Sequence, residues 1–348
     1  MTGPGRARTI AAIAAASALM MSGCSSAPVQ TASAPAPSVF ADGLDAPWSI
    51  AFAGDTMLVS ERDSARVLEF SESGERHEVG VIDGVAPGGE GGLLGLAVRD
   101  GELYTYFTAD DGNRVERRAL RGDPGGLSLG EPAVVIDGIP SAANHNGGRI
   151  AFGPDGMLYV TTGDAGDRDS AQDLGSLSGK ILRLEPDGRV PGDNPFPGSP
   201  VYSYGHRNPQ SIGWDAEGTM YASEFGQDTW DELNVIEPGG DYGWPEVEGI
   251  AGDDRFIDPV QQWRPSEASP SGLAVTGSDI LIANLRGERL RSVPLDDPAT
   301  STEMHVGEFG RLRDVAATTG AIWLLTNNTD GRGDPGDGDD RIILFPLD

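Results

Sequence analysis

The sequence predicts an all-β protein built as a six-bladed β-propeller with four-stranded antiparallel blades. Short apolar alternations recur in pairs, turns rich in glycine and aspartate separate them, and no segment shows a sustained helical period. The chain has 348 residues, a length that a single large β domain commonly reaches. Its 50 glycines and 25 prolines are spread along the chain, which suits many short strands joined by turns.

Residues 1–23 are predicted to be a lipoprotein-type signal peptide. Arg6 and Arg8 supply positive charge, and the apolar run over residues 9–21 is too short for a comfortable membrane span. The segment ends in MSGC, which resembles a bacterial lipobox, so we expect Cys24 to carry a lipid. A buried structural cysteine after a plain signal is the alternative interpretation.

The predicted domain order continues with a lipidated Ser/Ala/Pro linker over residues 24–39 and the propeller over residues 40–348. The linker composition would hold the propeller away from a membrane surface. We therefore expect an exported protein, anchored to the outer face of the bacterial cytoplasmic membrane. With a single cysteine in the chain, no intramolecular disulfide can form.

Six similar units follow the linker, each opening with two apolar runs around a turn. The first three pairs are WSIAF with TMLVS, LLGLAV with ELYTYF, and GRIAF with MLYVT. The last three are QSIGW with TMYAS, SGLAV with DILIAN, and RDVAA with AIWLLT. A third run closes each unit, and these runs are RVLEF, RVERRAL, KILRLEP, ELNVIEP, RLRSVPL and RIILFPL.

The repeat spacing favours propeller blades. The first runs align at Ile50, Leu96, Ile150, Ile212, Leu273 and Val315. The resulting steps of roughly 40–60 residues are typical of blades with variable loops. In such a ring the innermost strands surround a central channel, and the loops at one end form the ligand site. Two separate β-sandwiches are the structural alternative.

Residues that do not fit the strand pattern lie in the connectors. His145 precedes the first run of the third unit, and Asp164 follows its second run. Other connectors supply Glu90, Arg207, Asn208, Arg286, Arg311 and Arg313. If the units are equivalent blades, these side chains converge on one end of the axis.

The four arginines would form a cationic cup in a protein whose net charge is −29. Guanidinium groups bind carboxylates bidentately, so the cup suits a small, planar, polyanionic ligand. The alternative is that each arginine makes a surface ion pair. The acidic balance disfavours binding to nucleic acid. His145 is either a catalytic base facing the cup or an ordinary loop residue.

Several segments together resemble the soluble sugar dehydrogenases that depend on pyrroloquinoline quinone (PQQ), including the glucose, sorbosone and aldose sugar dehydrogenases. These segments occur in family order as GGLLGLAV, NHNGGRIAFGPDGMLYVTTGD, YGHRNPQ, SEFGQDTWDELNVIEPGGDYGWP, SGLA, NLRGERL and GRLRDV. The resemblance covers about residues 42–346. It implies a six-bladed propeller with PQQ at the top of the axis. It also implies oxidation of an aldose at the anomeric carbon to the lactone, with hydride transfer to PQQ polarised by Ca²⁺.

The resemblance also implies residue roles. His145 matches the general base and Asp164 its partner carboxylate. Cofactor contacts are implied for Arg207 and Asn208 beside the quinone and for Arg311 and Arg313 at the PQQ carboxylates. The carbonyl groups of Gly226 and Gln227 match ligands of the Ca²⁺ that bridges to PQQ, whereas Glu232 and Tyr242 resemble ligands of a second, structural Ca²⁺.

Two positions depart from the family pattern. Glu90 stands where glutamine is usual, and Arg286 stands where lysine contacts PQQ. A carboxylate near a tricarboxylate cofactor weakens binding unless it is protonated or offset, and Arg286 is the sequence candidate for offsetting it.

The implied partners are an aldose substrate, an extracytoplasmic quinone or cytochrome as electron acceptor, and the membrane through the lipid anchor. A Ca²⁺-dependent propeller lactonase and a non-catalytic cell-surface binding propeller are the competing hypotheses. The tripeptide RGD at residues 332–334 suggests adhesion, but it lies in an acidic glycine-rich loop and is interpreted as coincidental.

Overall fold

The computed structural model describes residues 1–3, 5 and 36–347. Contacts divide the chain into Met1–Ala34 and Pro35–Asp348. Cys24 and most of the predicted signal peptide and linker lie outside the described residues. Among the described residues, no helix is both long and apolar enough to cross a membrane.

The strands are numbered in chain order from β1 (Ser38–Ala41). Blade 1 contains β2 (Pro47–Ala53), β3 (Thr56–Glu61), β4 (Arg66–Phe70) and β5 (Arg76–Val81). Blade 2 contains β6 (Leu93–Arg99), β7 (Glu102–Ala109), β8 (Gly112–Arg121), the short β9 (Ser128–Leu129) that pairs with β8, and β10 (Ala133–Ile139). Blade 3 contains β11 (Ile150–Phe152), β12 (Leu158–Thr162), β13 (Lys180–Leu184) and β14 (Val201–Tyr204).

The second half of the ring repeats this order. Blade 4 contains β15 (Pro209–Trp214), β16 (Met220–Glu224), β17 (Asp231–Ile236) and β18 (Gln261–Trp263). Blade 5 contains β19 (Pro270–Val275), β20 (Asp279–Asn284), β21 (Arg289–Pro294) and β22 (Thr302–Met304). Blade 6 contains β23 (Leu312–Ala317), β24 (Ala321–Thr326) and β25 (Ile342–Pro346), with β1 as its fourth strand. A 3-10 helix spans Arg168–Ala171 in the β12–β13 loop.

Strand β1 closes the ring because it comes from the start of the propeller and pairs antiparallel with β25 at its end. Phe40 on β1 packs against Trp323 of blade 6, with the ring centroids 4.9 Å apart, and lies 6.3 Å from Phe70 of blade 1. The closing strand therefore contributes to the contact between the first and last blades.

The first strand of each blade faces the axis. The six positions aligned in the sequence all line one axial cavity, and they are Ile50, Leu96, Ile150, Ile212, Leu273 and Val315. The pairing register shifts near the start of the first strand in blades 1, 2, 4, 5 and 6. Such bulges redirect side chains at the ends of strands. The prediction of a six-bladed propeller is confirmed. The candidate site residues lie at the blade entrances, which are the loops before the first strand and after the second strand of a blade.

Apolar clusters fill the spaces between blades. Six clusters are present among the described residues. Five take side chains from two neighbouring blades, and the sixth joins blades 2 and 3 and also includes Trp48 of blade 1. Blades 1 and 6 share one of these clusters, which includes Val59, Leu68, Leu325 and Ile342. The alternating runs of the sequence are thus buried mainly between sheets, which holds the loops at the entrances in a fixed ring.

Candidate active site

One cavity at the blade entrances collects most of the residues that the sequence singled out. It measures about 240 Å³, and we call it the cup. Its lining includes Glu90, His145, Arg207, Gly226, Gln227, Arg286, Arg311 and Arg332. Arg313 lies in an adjoining, deeper cavity that shares Glu90 and Arg332 with the cup. The predicted convergence of connectors from different blades is therefore present in the structure.

His145 and Asp164 form a hydrogen-bonded pair beside the cup. The distance from His145 Nδ1 to Asp164 Oδ1 is 2.7 Å, and the Asp164 side chain is fully buried. Trp244 Nε1 donates to the other carboxylate oxygen at 2.9 Å, and the Gly166 N–H donates to Oδ1 at 2.8 Å. Burial raises the pKa of Asp164, but the hydrogen bonds from His145 and Gly166 outweigh it and hold the pKa below its usual 3.8. Asp164 is therefore a carboxylate that fixes the imidazole ring.

The backbone around His145 allows this contact only in a restricted conformation. His145 has a φ of 58°, in the left-handed region, which is uncommon for a residue with a side chain. The Ala165 N–H donates to the His145 carbonyl at 3.1 Å. A Cβ on Gly163 would lie 2.0 Å from the same carbonyl oxygen, so the turn before Asp164 requires glycine. In the Gly-Asp pair at 163–164, the glycine therefore allows close packing against His145, and the aspartate binds the His145 ring.

Glu90 supports His145 from a second blade. Its Oε2 accepts the His145 backbone N–H at 3.0 Å, and its Oε1 accepts from Arg332 Nη1 at 2.9 Å. Burial raises the pKa of Glu90, but these hydrogen bonds outweigh it and lower the pKa below its usual value. Glu90 is thus offset by Arg332, whereas the sequence had pointed to Arg286 for this role.

The arginines fall into two groups. Arg311 pairs with Asp330, with Nη2 and Oδ2 3.0 Å apart, and Arg332 pairs with Glu90. In contrast, the described residues place no carboxylate oxygen within 4.0 Å of the guanidinium nitrogens of Arg207, Arg286 or Arg313. The cup and the cavity below it therefore contain three guanidinium charges without a salt-bridge partner in the described part of the chain.

Two of these guanidinium groups donate hydrogen bonds to neutral oxygen atoms. Arg207 Nη1 donates to the carbonyl oxygens of Phe225 and Gly226, and its guanidinium lies 5.5 Å from the centre of the Trp244 ring. Arg313 Nη1 donates to Gln210 Oε1 at 3.3 Å and to Ser271 Oγ at 3.2 Å. Burial lowers the pKa of both arginines. An anionic ligand would offset the cost of burying these charges.

Two buried nitrogen atoms near the cup have no hydrogen-bond partner in the described structure. They are Asn208 Nδ2 and Arg313 Nε. Asn208 is otherwise well held, because its Oδ1 accepts the Gly147 N–H at 3.0 Å and its own N–H donates to Glu224 at 3.2 Å. Buried polar atoms are nearly always paired in native proteins, and these two nitrogens are available to donate to a polar ligand.

The loop with Gly226 and Gln227 is organised by one carboxylate. Glu248 Oε1 accepts backbone N–H groups at 2.7–3.1 Å from Gln227, Asp228, Thr229 and Trp230. A Cβ on Gly226 would lie 1.7 Å from the Trp230 carbonyl oxygen, so the loop is tightly packed. Gly226 and Gln227 both face the cup, as the resemblance implied.

Glu232 and Tyr242 lie apart from the cup, in a small enclosed cavity with Glu224 and Glu248. Burial, together with the neighbouring Glu224, raises the pKa of Glu232 to about 8. Tyr242 donates its hydroxyl to the Val235 carbonyl at 2.6 Å. Among the described residues, no group of three or more His, Cys, Asp or Glu side chains is arranged to hold a metal ion.

Sequence reasoning missed several residues that support the site. Trp244 and Arg332 contact the predicted residues directly. His206 and Glu224 support the site indirectly. The His206 ring forms a hydrogen bond with Glu224 at 2.8 Å, and the Glu224 carboxylate accepts the backbone N–H groups of Arg207 and Asn208. Trp244 and His206 stand in quoted family segments, which offered a signal. Arg332 was noted only as part of the RGD tripeptide, which offered no signal of a contact with Glu90.

A family model described as glucose/sorbosone dehydrogenase matches residues 44–335. The chain belongs to this family. It is similar to the solved PQQ-bound aldose sugar dehydrogenase from Streptomyces coelicolor, with 50% identity, coverage of 90% of this chain and 99% of that chain, and a TM-score of 0.85.

Two curated proteins extend the comparison within the glucose/sorbosone dehydrogenase family. The aldose sugar dehydrogenase YliI of Escherichia coli K12 is 28% identical over 340 residues, covering 84% of this chain and 90% of that protein. The quinoprotein glucose dehydrogenase B of Acinetobacter calcoaceticus is 30% identical over 257 residues, covering 63% of this chain and 54% of that protein. The family resemblance predicted from the segments is confirmed.

Proposed function

We propose that this family member is a PQQ-dependent dehydrogenase that oxidises an aldose at the anomeric carbon to the lactone. The observation that carries the proposal is the His145–Asp164 pair beside the cup. The cup and the adjoining cavity together hold three guanidinium groups that lack a carboxylate partner in the described structure. The similarity to the Streptomyces coelicolor enzyme, solved with PQQ bound, supports the same cofactor here.

The charges of the site fit PQQ. The cofactor carries three carboxylates, and Arg207, Arg286 and Arg313 offer three guanidinium charges that the described protein leaves without an acidic partner. Charge-assisted, bidentate hydrogen bonds are the usual way in which arginine holds such groups. The unpaired nitrogens of Asn208 and Arg313 would add donors. PQQ, when bound, would supply the hydride acceptor.

The residues also fit a Ca²⁺ ion in the cup. The Gly226 and Gln227 carbonyl groups are hard oxygen ligands, which Ca²⁺ prefers, and an anionic cofactor would supply the negative charge. The Gly226 carbonyl accepts from Arg207, so that guanidinium would have to turn towards the cofactor. The ion would polarise the quinone carbonyl groups. Glu232 and Tyr242 are the candidates for a second, structural Ca²⁺.

His145 would act as the general base. Its Nδ1 is held by Asp164, so Nε2 is the atom that would take the proton from the anomeric hydroxyl of the sugar. Asp164 stays ionised and would stabilise the imidazolium that forms. Glu90 would hold the backbone of His145 in its restricted conformation. Arg207, which lies between the Gly226 carbonyl and Trp244, would orient the bound ring system.

We also propose that the protein acts outside the cytoplasm, anchored through a lipid on Cys24, and passes electrons to a quinone or cytochrome. The basis is the signal-like N-terminal sequence and the Ser/Ala/Pro linker. Residues 24–39 would place the cup at some distance from the membrane surface.

Adding PQQ and Ca²⁺ to the purified apo-protein tests the proposed activity. We expect reduction of an artificial dye that depends on an aldose, on PQQ and on Ca²⁺. Hydrolysis of a sugar lactone without any dye reduction would instead support the lactonase hypothesis. Absence of both activities, across a panel of aldoses and lactones, would support a binding propeller.

A further inference from the structure

An ion pair crosses the cup between distant parts of the chain. Arg332 comes from the β24–β25 loop of blade 6, and Glu90 comes from the loop before β6 of blade 2. Arg332 Nη1 lies 2.9 Å from Glu90 Oε1, and both residues line the cup and the cavity below it. The Arg332 side chain is 54% exposed and that of Glu90 is 24% exposed, so the pair faces the space where a ligand would enter.

The two oxygen atoms of the Glu90 carboxylate accept hydrogen bonds from two different residues. One oxygen accepts the His145 N–H at 3.0 Å, and the other accepts from Arg332. The loop around Glu90 is pressed against the same segment, because a Cβ on Gly89 would lie 2.1 Å from the Ala143 carbonyl oxygen. Glu90 therefore cannot move away from the cup without releasing the backbone that carries His145.

Contacts within the β24–β25 loop fix the backbone position of Arg332. Its backbone N–H donates to Asp330 Oδ1 at 2.9 Å, while Asp330 Oδ2 accepts from Arg311 at 3.0 Å. The Asp330 side chain is 1% exposed. A Cβ on Gly333 would lie 2.9 Å from Arg311 Cδ, so the loop packs closely on that arginine. The loop thus has fixed points on both sides of Arg332.

We infer that Arg332 is a positioning and charge-compensating residue that keeps Glu90 compatible with an anionic cofactor. The inference rests on the proposed function, because PQQ is the anion concerned. Without Arg332 a bare carboxylate would face the carboxylates of the ligand. With Arg332 in place, Glu90 can hold His145 while the cup remains cationic. The arginine of the RGD tripeptide would then belong to the cofactor site.

A set of four proteins tests this inference, namely the wild type, Arg332→Gln, Glu90→Gln and the double variant. PQQ is titrated into each apo-protein in the presence of Ca²⁺, and the affinity is measured by calorimetry or fluorescence. Arg332→Gln should weaken PQQ binding by roughly tenfold or more, since it removes a charge-assisted partner and exposes like charge. Glu90→Gln should bind PQQ at least as tightly as the wild type, because it frees Arg332.

The double variant distinguishes compensation of the Glu90 charge by Arg332 from a general disruption of the site by the substitution. If Arg332 acts by compensating Glu90, the double variant should bind PQQ more tightly than Arg332→Gln alone. Arg189→Gln is the control, because Arg189 is exposed, pairs with Glu185 and lies outside both cavities. Thermal unfolding of each variant checks that the fold is intact.

Two results would overturn the inference alone: unchanged PQQ affinity in Arg332→Gln, or a double variant as weak as that single variant. Failure of the wild-type protein to bind PQQ would overturn both the inference and the proposed function.

Discussion

At the scale of single residues, His145 carries the proposed chemistry. Its Nδ1 is fixed by Asp164, and its backbone is fixed by Glu90. Replacing it with alanine should lower kcat by about 10²–10⁴, the usual contribution of a positioned base. PQQ affinity should change little, because the imidazole is assigned to the sugar.

Steady-state kinetics of His145→Ala after reconstitution measures this effect. His305→Ala is a matched control, since His305 also bonds a carboxylate, that of Glu308, and does not line the cup. Full turnover in His145→Ala would remove the residue from the chemistry.

Asp164→Asn should give a smaller loss of kcat than His145→Ala, because the base remains but the group that orients it is weakened. The pKa of Asp164 is lowered from 3.8, so the carboxylate is ionised throughout the neutral range. Its own protonation would occur only at acidic pH, below that range. The loss in Asp164→Asn should therefore extend over pH 6–9, and a pH profile of kcat checks it. A variant that matches the wild type across this range would contradict the role.

At the scale of elements, the first three strands of each blade were predictable because they are the buried ones. Strands such as β3, β12 and β16 are buried along their whole length, and their apolar runs dominate the sequence. Four strands per blade were predicted, but the fourth strands were not located in the sequence, because strands such as β5 and β22 are largely exposed and their residues show no apolar alternation. Strand β1 was missed for a similar reason, since its pairing with β25 depends on closure of the ring.

Phe40 on β1 provides a test of ring closure. It packs against Trp323, and it is half-buried, so Phe40→Ala should cost about 1–3 kcal/mol of stability, less than a fully buried phenylalanine. Val39→Ala is the control in the same strand, because Val39 is 51% exposed and should cost less than about 0.5 kcal/mol. Urea unfolding midpoints compare the two. Equal stability of both variants would mean that β1 contributes little to closing the ring.

At the scale of the whole molecule, the ring brings together side chains that are far apart in the sequence. His145, Asp164 and the four predicted arginines could be identified because each stands at a matched position in a repeated unit. Arg332 could not, since it contacts Glu90 across 242 positions and lies outside the segments that resemble the family. Trp244 likewise reaches Asp164 only through the fold. Charge and position predict the cup, but the pairing of its charges depends on loop geometry.

The proposed anchor is also a property of the whole molecule. Cys24→Ala should release the protein from the membrane fraction, because the lipid would have no attachment point. The propeller should keep its thermal stability, since Cys24 precedes β1 and the blades. Fractionation of cells that express each form measures this. Unchanged membrane association of the variant would contradict the lipid anchor.

The central claim is that the cup binds PQQ beside His145, and PQQ titration of arginine variants tests it most directly. The wild-type apo-protein should bind PQQ in the presence of Ca²⁺. Arg286→Ala and Arg313→Ala remove guanidinium groups that have no carboxylate partner in the described structure, and each should weaken binding by about 1.5–3 kcal/mol, the usual range for charge-assisted hydrogen bonds. Arg189→Ala, on the exposed surface, should bind like the wild type. Equal affinity in all four proteins would contradict the account, because the PQQ site would then lie elsewhere.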